Sequence, residues 1–276
     1  MQLGITQALI ANRASDHGCY LIDEQGEEVL LPNKYVPSNL NLGDTIEVFV
    51  YKDHEERPVA TTLVPMLELH QFAYLETKEV TEHGAFMDWG LTKQLFVPFS
   101  EQKDEFKVGR AYLIYLNLDE KTDRLYGSNI ERKFVEEDVI DLRDRQKVKI
   151  LPYLHTDLGI NAIIEHKYKG LIFESDIHKN VTIGEWTEGY VKEIRDDKKI
   201  NLTLEPYGYF RTVDKNANII LAALEKNEGE LMLHDKSDPL LIKQELGLSK
   251  KAFKKGVGFL FKNKQIKLLR DRIVIA

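Results

Sequence analysis

Through most of residues 1–213, large apolar residues alternate with polar ones, the pattern of strands that bury one face. Ile46, Val48 and Val50 form one such run, and Tyr112, Ile114 and Leu116 form its counterpart further along. Turn-forming clusters interrupt the runs at residues 23–26, 41–43 and 53–57, cutting about 65 residues into about five strands. The division recurs. Gly18, Gly84 and Gly159 are each followed 25 positions later by Gly43, Gly109 and Gly184, and both sets are spaced by 66 and then 75 residues. An aromatic stands six residues past each second glycine (Phe49, Tyr115, Tyr190). A large apolar residue (Leu30, Phe96, Leu171) stands two before Pro32, Pro98 and Phe173. Three copies of one β scaffold are expected.

Five short strands in this length close most economically as an OB-type Greek-key barrel, which leaves few free edges; a five-stranded sandwich is the other arrangement the count allows. Past Asp214 the spacing becomes helical. Ile219, Ile220, Ala223 and Leu224 mark one face, and Leu240, Leu241, Glu245 and Leu246 follow Ser237-Asp238-Pro239 and precede Gly247. Asp238 as N-cap with Pro239 in the first turn is a sound helix start. A third helix is expected from Ser249 to about Asn263, then strands at 266–269 and 272–275 around Arg270-Asp271, with a short strand at 231–234 ahead of the second helix. This order describes a winged helix. The expected fold is therefore mainly β with a small α+β tail: barrels at residues 1–66, 67–140 and 141–213, and a winged helix at 214–276. Short linkers near 65–70, 136–145 and 205–216, with Pro65 and Pro206 at two of them, suit a semi-rigid rod.

The overall formal charge is -7, but it is unevenly spread. Residues 1–140 hold 13 basic and 25 acidic side chains, residues 141–213 hold 12 of each, and residues 214–276 hold 13 basic and 8 acidic. Lys and Arg neutralise phosphates, so a polyanion should prefer the carboxyl-terminal half, leaving the acidic barrels for protein partners. The single cysteine, Cys19, permits no internal disulfide and suits a reducing cytoplasm. The longest apolar runs, such as Ala111–Leu116 and Ile219–Leu224, have six residues, against about 20 for a membrane span and about 7–15 for a signal segment.

At about 100° per residue, Lys250, Lys251, Lys254 and Lys255 fall within an arc of about 140° on the third helix of the tail, opposite Phe253, Val257 and Leu260. That helix is the second of a helix-turn-helix, the one able to approach phosphates, although a solvated lysine face is the plainer reading. An OB barrel binds single strands by stacking bases on exposed rings while cations follow the backbone. The candidates are Tyr20 and Phe86, two residues past their glycines, with Asn161 in the third copy; Phe173, with Lys169 close before it; and the cations Arg57, Arg124 and Lys199 near each block's end. Alternate strand residues face inward, so each ring belongs either to a core or to a surface.

Gly84-Ala-Phe-Met-Asp, Gly170-Leu-Ile-Phe-Glu-Ser-Asp-Ile and Lys199-Ile-Asn-Leu-Thr-Leu resemble the RNA-binding repeat of ribosomal protein S1. With Leu31-Pro-Asn-Lys-Tyr-Val-Pro, Leu95-Phe-Val-Pro-Phe-Ser-Glu-Gln, Asp235-Lys-Ser-Asp-Pro and Leu248-Ser-Lys-Lys-Ala-Phe-Lys-Lys, the whole chain resembles the bacterial conserved virulence factor B family. The resemblance implies three S1-type barrels plus a winged helix, RNA binding and an effect on expression of virulence or other genes. It implies contacts at Phe86, Tyr20 and Phe173 for the stacking rings and Arg124, Arg57 and Lys199 for the closing cations. Asn161, Pro32 and Pro98 depart from the pattern and leave no copy with the full aromatic set.

No Gly-Lys-Ser/Thr phosphate loop, Gly-x-Ser-x-Gly elbow or Gly-x-Gly-x-x-Gly run occurs, and His17, His54, His70, His83, His155, His166, His178 and His234 are dispersed. The expectation is a monomeric, cytoplasmic, non-enzymatic regulator without cofactor or metal. It holds single-stranded RNA mainly through the third barrel and the winged helix. The alternatives are duplex DNA binding through the lysine helix, a protein-docking module, and a nuclease built from scattered acids and Mg²⁺.

Overall fold

The computed structural model describes residues 1–139, 141–177, 180–205, 215–263, 265–269 and 271–276. His178, Pro206, Arg270 and the boundary drawn at 213/214 lie outside the described residues. Residues 1–204 form one compact unit and residues 205–276 a second.

The first unit contains three five-stranded sets in the same order. The first set comprises β1 (Thr6–Ser15), β2 (Gly18–Ile22), β3 (Glu28–Pro32), β4 (Thr45–Lys52) and β5 (Pro58–Thr61), and closes as a barrel in the order β1-β2-β3-β5-β4. The third set repeats this closure with β11 (Lys147–Thr156), β12 (Gly159–Ile164), β13 (Tyr168–Phe173), β14 (Thr187–Ile194) and β15 (Ile200–Thr203). The second set has β6 (Phe72–Val80), β7 (Gly84–Asp88), β8 (Leu95–Pro98), β9 (Ala111–Asp119) and β10 (Arg124–Ser128), ordered β10-β9-β6-β7-β8. Its end strands β8 and β10 lie against one another without joining a ladder. The expected barrel architecture is present.

The repeated glycines have a steric cause. Gly18, Gly84 and Gly159 take φ of 151°, 156° and 140°, and a Cβ there would lie 2.0, 2.3 and 2.0 Å from the carbonyl oxygens of Leu31, Val97 and Ile172 on the next strand. Only a residue without a side chain allows this approach.

The barrels share cores. Phe49, Tyr51 and Val59 of the first pack with Leu67, Trp89 and Leu91 of the second, the Phe49 ring meeting Trp89 edge-on at 5.7 Å. At the next junction Phe72, Leu113 and Tyr115 pack with Leu151, Tyr153 and Ile163, and Phe134 stacks on Tyr115 at 4.1 Å. Near this junction the Phe72 N–H donates to His166 Nδ1 at 2.9 Å.

In the second unit, α1 (Lys215–Lys226), β16 (Glu230–Leu231), α2 (Pro239–Leu246), α3 (Lys250–Lys262), β17 (Ile266–Leu268) and β18 (Ile273–Ile275) form a winged helix with sheet order β16-β18-β17. Asp238 accepts from the Leu240 N–H at 2.8 Å and Ser249 from that of Ala252 at 3.2 Å, so both expected starts are capped. Three details differ from expectation. The strand read as 231–234 is only Glu230–Leu231, because His234 and Ser237 close a turn on each other. Leu240 and Leu241 are 70% and 49% exposed; Ile242 and Leu246, one helical turn apart, supply the core face of α2. Ile219 likewise faces outward while Ala217, Ile220 and Leu224 are buried. Among the described residues no helix is long and apolar enough to cross a membrane.

Candidate nucleic-acid interface

The outward faces of the second and third strands in each barrel present the rings singled out above. Tyr20 is half-buried, and the Arg13 guanidinium covers one of its faces at 3.6 Å from the ring centroid. Arg13 is held there by Glu28 through Nε at 3.1 Å and Nη2 at 2.9 Å, and these bonds, with one from Asn12, keep the Glu28 carboxyl below the usual range. In the second barrel, Phe86 lies directly across from Phe96, with ring centroids 5.1 Å apart and planes at 44°. The pair lines a cleft of about 960 Å³, shared with Pro98, Tyr126, Lys93 and Arg124 of the same barrel and with Lys52 and Glu56 of the first. In the third barrel Asn161 faces Leu171, and Phe173 ends β13 half-buried rather than in the core.

Each closing cation is ion-paired and mostly exposed. Arg57 binds Asp53 at 2.7 Å and Glu55 at 2.8 Å, Arg124 binds Glu56 at 3.0 Å, and Lys199 binds Asp197 at 3.1 Å. Burial of Glu56 is outweighed by Lys93 and Arg124, which hold its carboxyl below the usual range. A phosphate arriving at any of these positions exchanges with a carboxylate.

Lys169 is exposed but already partnered. Its Nζ donates at 3.0 Å to Glu131, a carboxylate only 8% exposed, which also accepts from the Tyr153 hydroxyl at 3.4 Å and has Lys103 at 3.9 Å. Burial of Glu131 is more than offset by the hydrogen bond and charge of Lys169, so its pKa falls; burial and Glu131 drive the Tyr153 phenol far upward. Lys169 therefore sits at the junction of the second and third barrels.

On the winged helix, Lys250 donates to the Ser237 carbonyl at 2.9 Å and is half-buried. Lys251, Lys254 and Lys255 are exposed, opposite buried Phe253, Val257 and Leu260, and among the described residues no carboxylate lies within ion-pair distance of them. Lys262 and Lys267 add further exposed cations that helical spacing alone does not single out.

The structure thus brings Phe86 and Arg124 into one cleft and gathers the α3 lysines on one face. Sequence reasoning missed Phe96 as a surface ring, and it missed Lys93. The signal was present, since Phe96 follows the Phe86 strand in a hairpin, but the cross-strand register that pairs them is set by the loop between.

Residues 3–63 match the S1 domain family and residues 218–274 match the CvfB-like winged helix domain family. Both are domains of nucleic-acid-binding type. The uncharacterized protein YitL of Bacillus subtilis is 26% identical over 283 residues, covering 96% of this chain and 91% of its own. A crystal structure of a multidomain protein with nucleic acid binding domains from Streptococcus pneumoniae is 25% identical, with 99% and 98% of the two chains covered and a TM-score of 0.45. Conserved virulence factor B of Staphylococcus haemolyticus is 25% identical over 257 residues, covering 90% and 86%, and that of Staphylococcus aureus strain MRSA252 is 24% identical over 244 residues, covering 86% and 81%. With its S1 domain, its CvfB-like winged helix and these relatives along most of its length, the chain is similar to the conserved virulence factor B family, the resemblance its motifs carry.

Proposed function

We propose that this protein binds single-stranded RNA without catalysing a reaction on it, and regulates gene expression after transcription. The observation that carries the reading is the α3 face: Lys251, Lys254 and Lys255 lie exposed without a carboxylate partner among the described residues. Ammonium groups in that state are free to take phosphates, and each phosphate neutralised on a single strand contributes about 0.7 to the salt slope. The third barrel adds Phe173 as a stacking ring and Lys199 as a cation released from Asp197. The first two barrels are acidic in sequence and offer surface to protein partners.

The test uses the full chain. Replacing Lys251, Lys254 and Lys255 by Gln should reduce the log–log salt slope for a labelled oligouridine by about 2 and weaken binding at low salt. Phe173→Ala should weaken it without altering the slope. A matched duplex DNA that competes better than the single strand would turn the reading toward transcriptional control through α3. A flat salt response in the wild type would leave a protein-docking module.

A further inference from the structure

The second barrel has the fuller ring pair, Phe86 with Phe96, yet its cations are answered by a carboxylate from outside it. Glu56 belongs to the hairpin between β4 and β5 of the first barrel. Its Oε1 lies 3.3 Å from Lys93 Nζ, and its Oε2 accepts from Arg124 Nε at 3.0 Å. Both cations line the same cleft as the two phenylalanines. A carboxylate and a phosphodiester present similar pairs of acceptor oxygens to such cations, so Glu56 stands where a phosphate would be held.

The hairpin is built to keep it there. Asp53 accepts from the N–H groups of Glu55 at 2.8 Å and Arg57 at 3.0 Å and also clamps the Arg57 guanidinium, which stiffens the turn. Lys52 Nζ donates to the Thr122 carbonyl at 3.3 Å and Lys93 Nζ to that of Asp53 at 2.8 Å, so the strand end just ahead of Glu56 is tied to the second barrel at two successive residues. Glu56 itself takes φ of 62°, a region side-chain-bearing residues seldom enter. The matching turn of the third barrel places Lys198 at φ 63°, where it pairs with Asp138 at 2.5 Å. One turn position thus carries opposite charge in two copies, and in the first copy that charge falls on a neighbour's cations.

We propose that Glu56 is a built-in competitor, holding the Lys93–Arg124 anion position of the second barrel closed until the phosphodiester of a single-stranded RNA displaces it and its bases reach the Phe86–Phe96 pair. This rests on the reading of the chain as an RNA binder. Displacement is feasible because Glu56 and Arg124 are 39% and 62% exposed, and ion pairs so open to water are weakly held.

Wild type, Glu56→Gln, Glu56→Gln with Arg124→Gln, and Phe86→Ala are titrated as full chains with a labelled oligouridine over a series of salt concentrations. Glu56→Gln should tighten binding about fivefold at low salt. It should also steepen the salt slope by up to about 0.7, the share of the one phosphate that the Lys93–Arg124 position holds. Adding Arg124→Gln should cancel the gain, and Phe86→Ala should weaken binding. If Glu56→Gln changes neither affinity nor slope while Phe86→Ala weakens binding, the competitor is rejected and the RNA reading stands. If neither substitution matters, the cleft is not an RNA site and the proposal falls, again without touching the α3 face. If the wild type retains no RNA, both fall.

Discussion

Protonating His166 should loosen the junction between the second and third barrels. The residue lies in the turn between β12 and β13, where Glu165 and His166 both take left-handed backbone angles, φ 47° and 60°. Its Nδ1 accepts the N–H of Phe72, a residue 1% exposed, and its ring packs against Trp186 with centroids 4.3 Å apart. Only the neutral imidazole can accept that bond, since both nitrogens of the charged ring donate. Burial, opposed by Glu165 and aided by Lys149, holds the pKa below the ordinary histidine value. The unfolded chain takes up its proton near pH 6.5, so between that pH and the lower folded pKa the unfolded state binds more protons. Stability from this site is complete above about pH 7.5 and falls as the pH drops below about 6.5. The slope is at most about 1.4 kcal/mol per pH unit, ending below the folded pKa. His166→Ala leaves the Phe72 N–H without its acceptor, at about 1–3 kcal/mol, and should abolish this pH dependence. His166→Asn should also abolish it but retain more stability, because an amide oxygen can accept the bond and Asn tolerates a left-handed backbone. The assay is urea unfolding at several pH values, followed by tryptophan fluorescence in a Trp89→Phe background, which leaves Trp186 as the sole indole of the two. A wild-type slope between about pH 5.5 and 7 that persists in His166→Ala would refute the reasoning.

Lys169→Met should cost about 1–3 kcal/mol, below the range for a fully buried pair because Lys169 is 41% exposed, and should leave oligouridine affinity unchanged. Thermal unfolding and RNA titration of the same variant check this; weakened RNA binding with stability intact would return Lys169 to the binding face. Gly159→Ala places a methyl 2.0 Å from the Ile172 oxygen and should cost more than about 3 kcal/mol or prevent soluble expression, with a small shift in melting temperature as the contrary result.

What the sequence reveals by itself is what has a local cause. Gly18, Gly84 and Gly159 announce the repeat because one close strand approach excludes any side chain at that position. Asp238 and Ser249 announce helix starts because each cap reaches only two or three residues ahead. The α3 lysines follow from helical rotation alone, and Lys251, Lys254 and Lys255 face solvent as that rotation requires. The partners of charged residues are another matter. Arg57 finds Asp53 in its own turn, but Arg124 finds Glu56 across 68 positions and Lys169 finds Glu131 across 38, distances over which no periodicity operates. Leu240 and Leu241 show the same limit within a helix, since an apolar pair does not say which of its neighbours the rest of the domain will cover.

The middle copy shares its interior with Phe49, Tyr51 and Val59 from the preceding one, and its own end strands leave a seam unzipped. It is accordingly not an interchangeable bead. Shuffling that segment into another array, or excising it to join its flanks, would strand apolar surface on both sides of the cut. Each copy is therefore fitted to its particular neighbours, and its position in the array is part of what holds it folded.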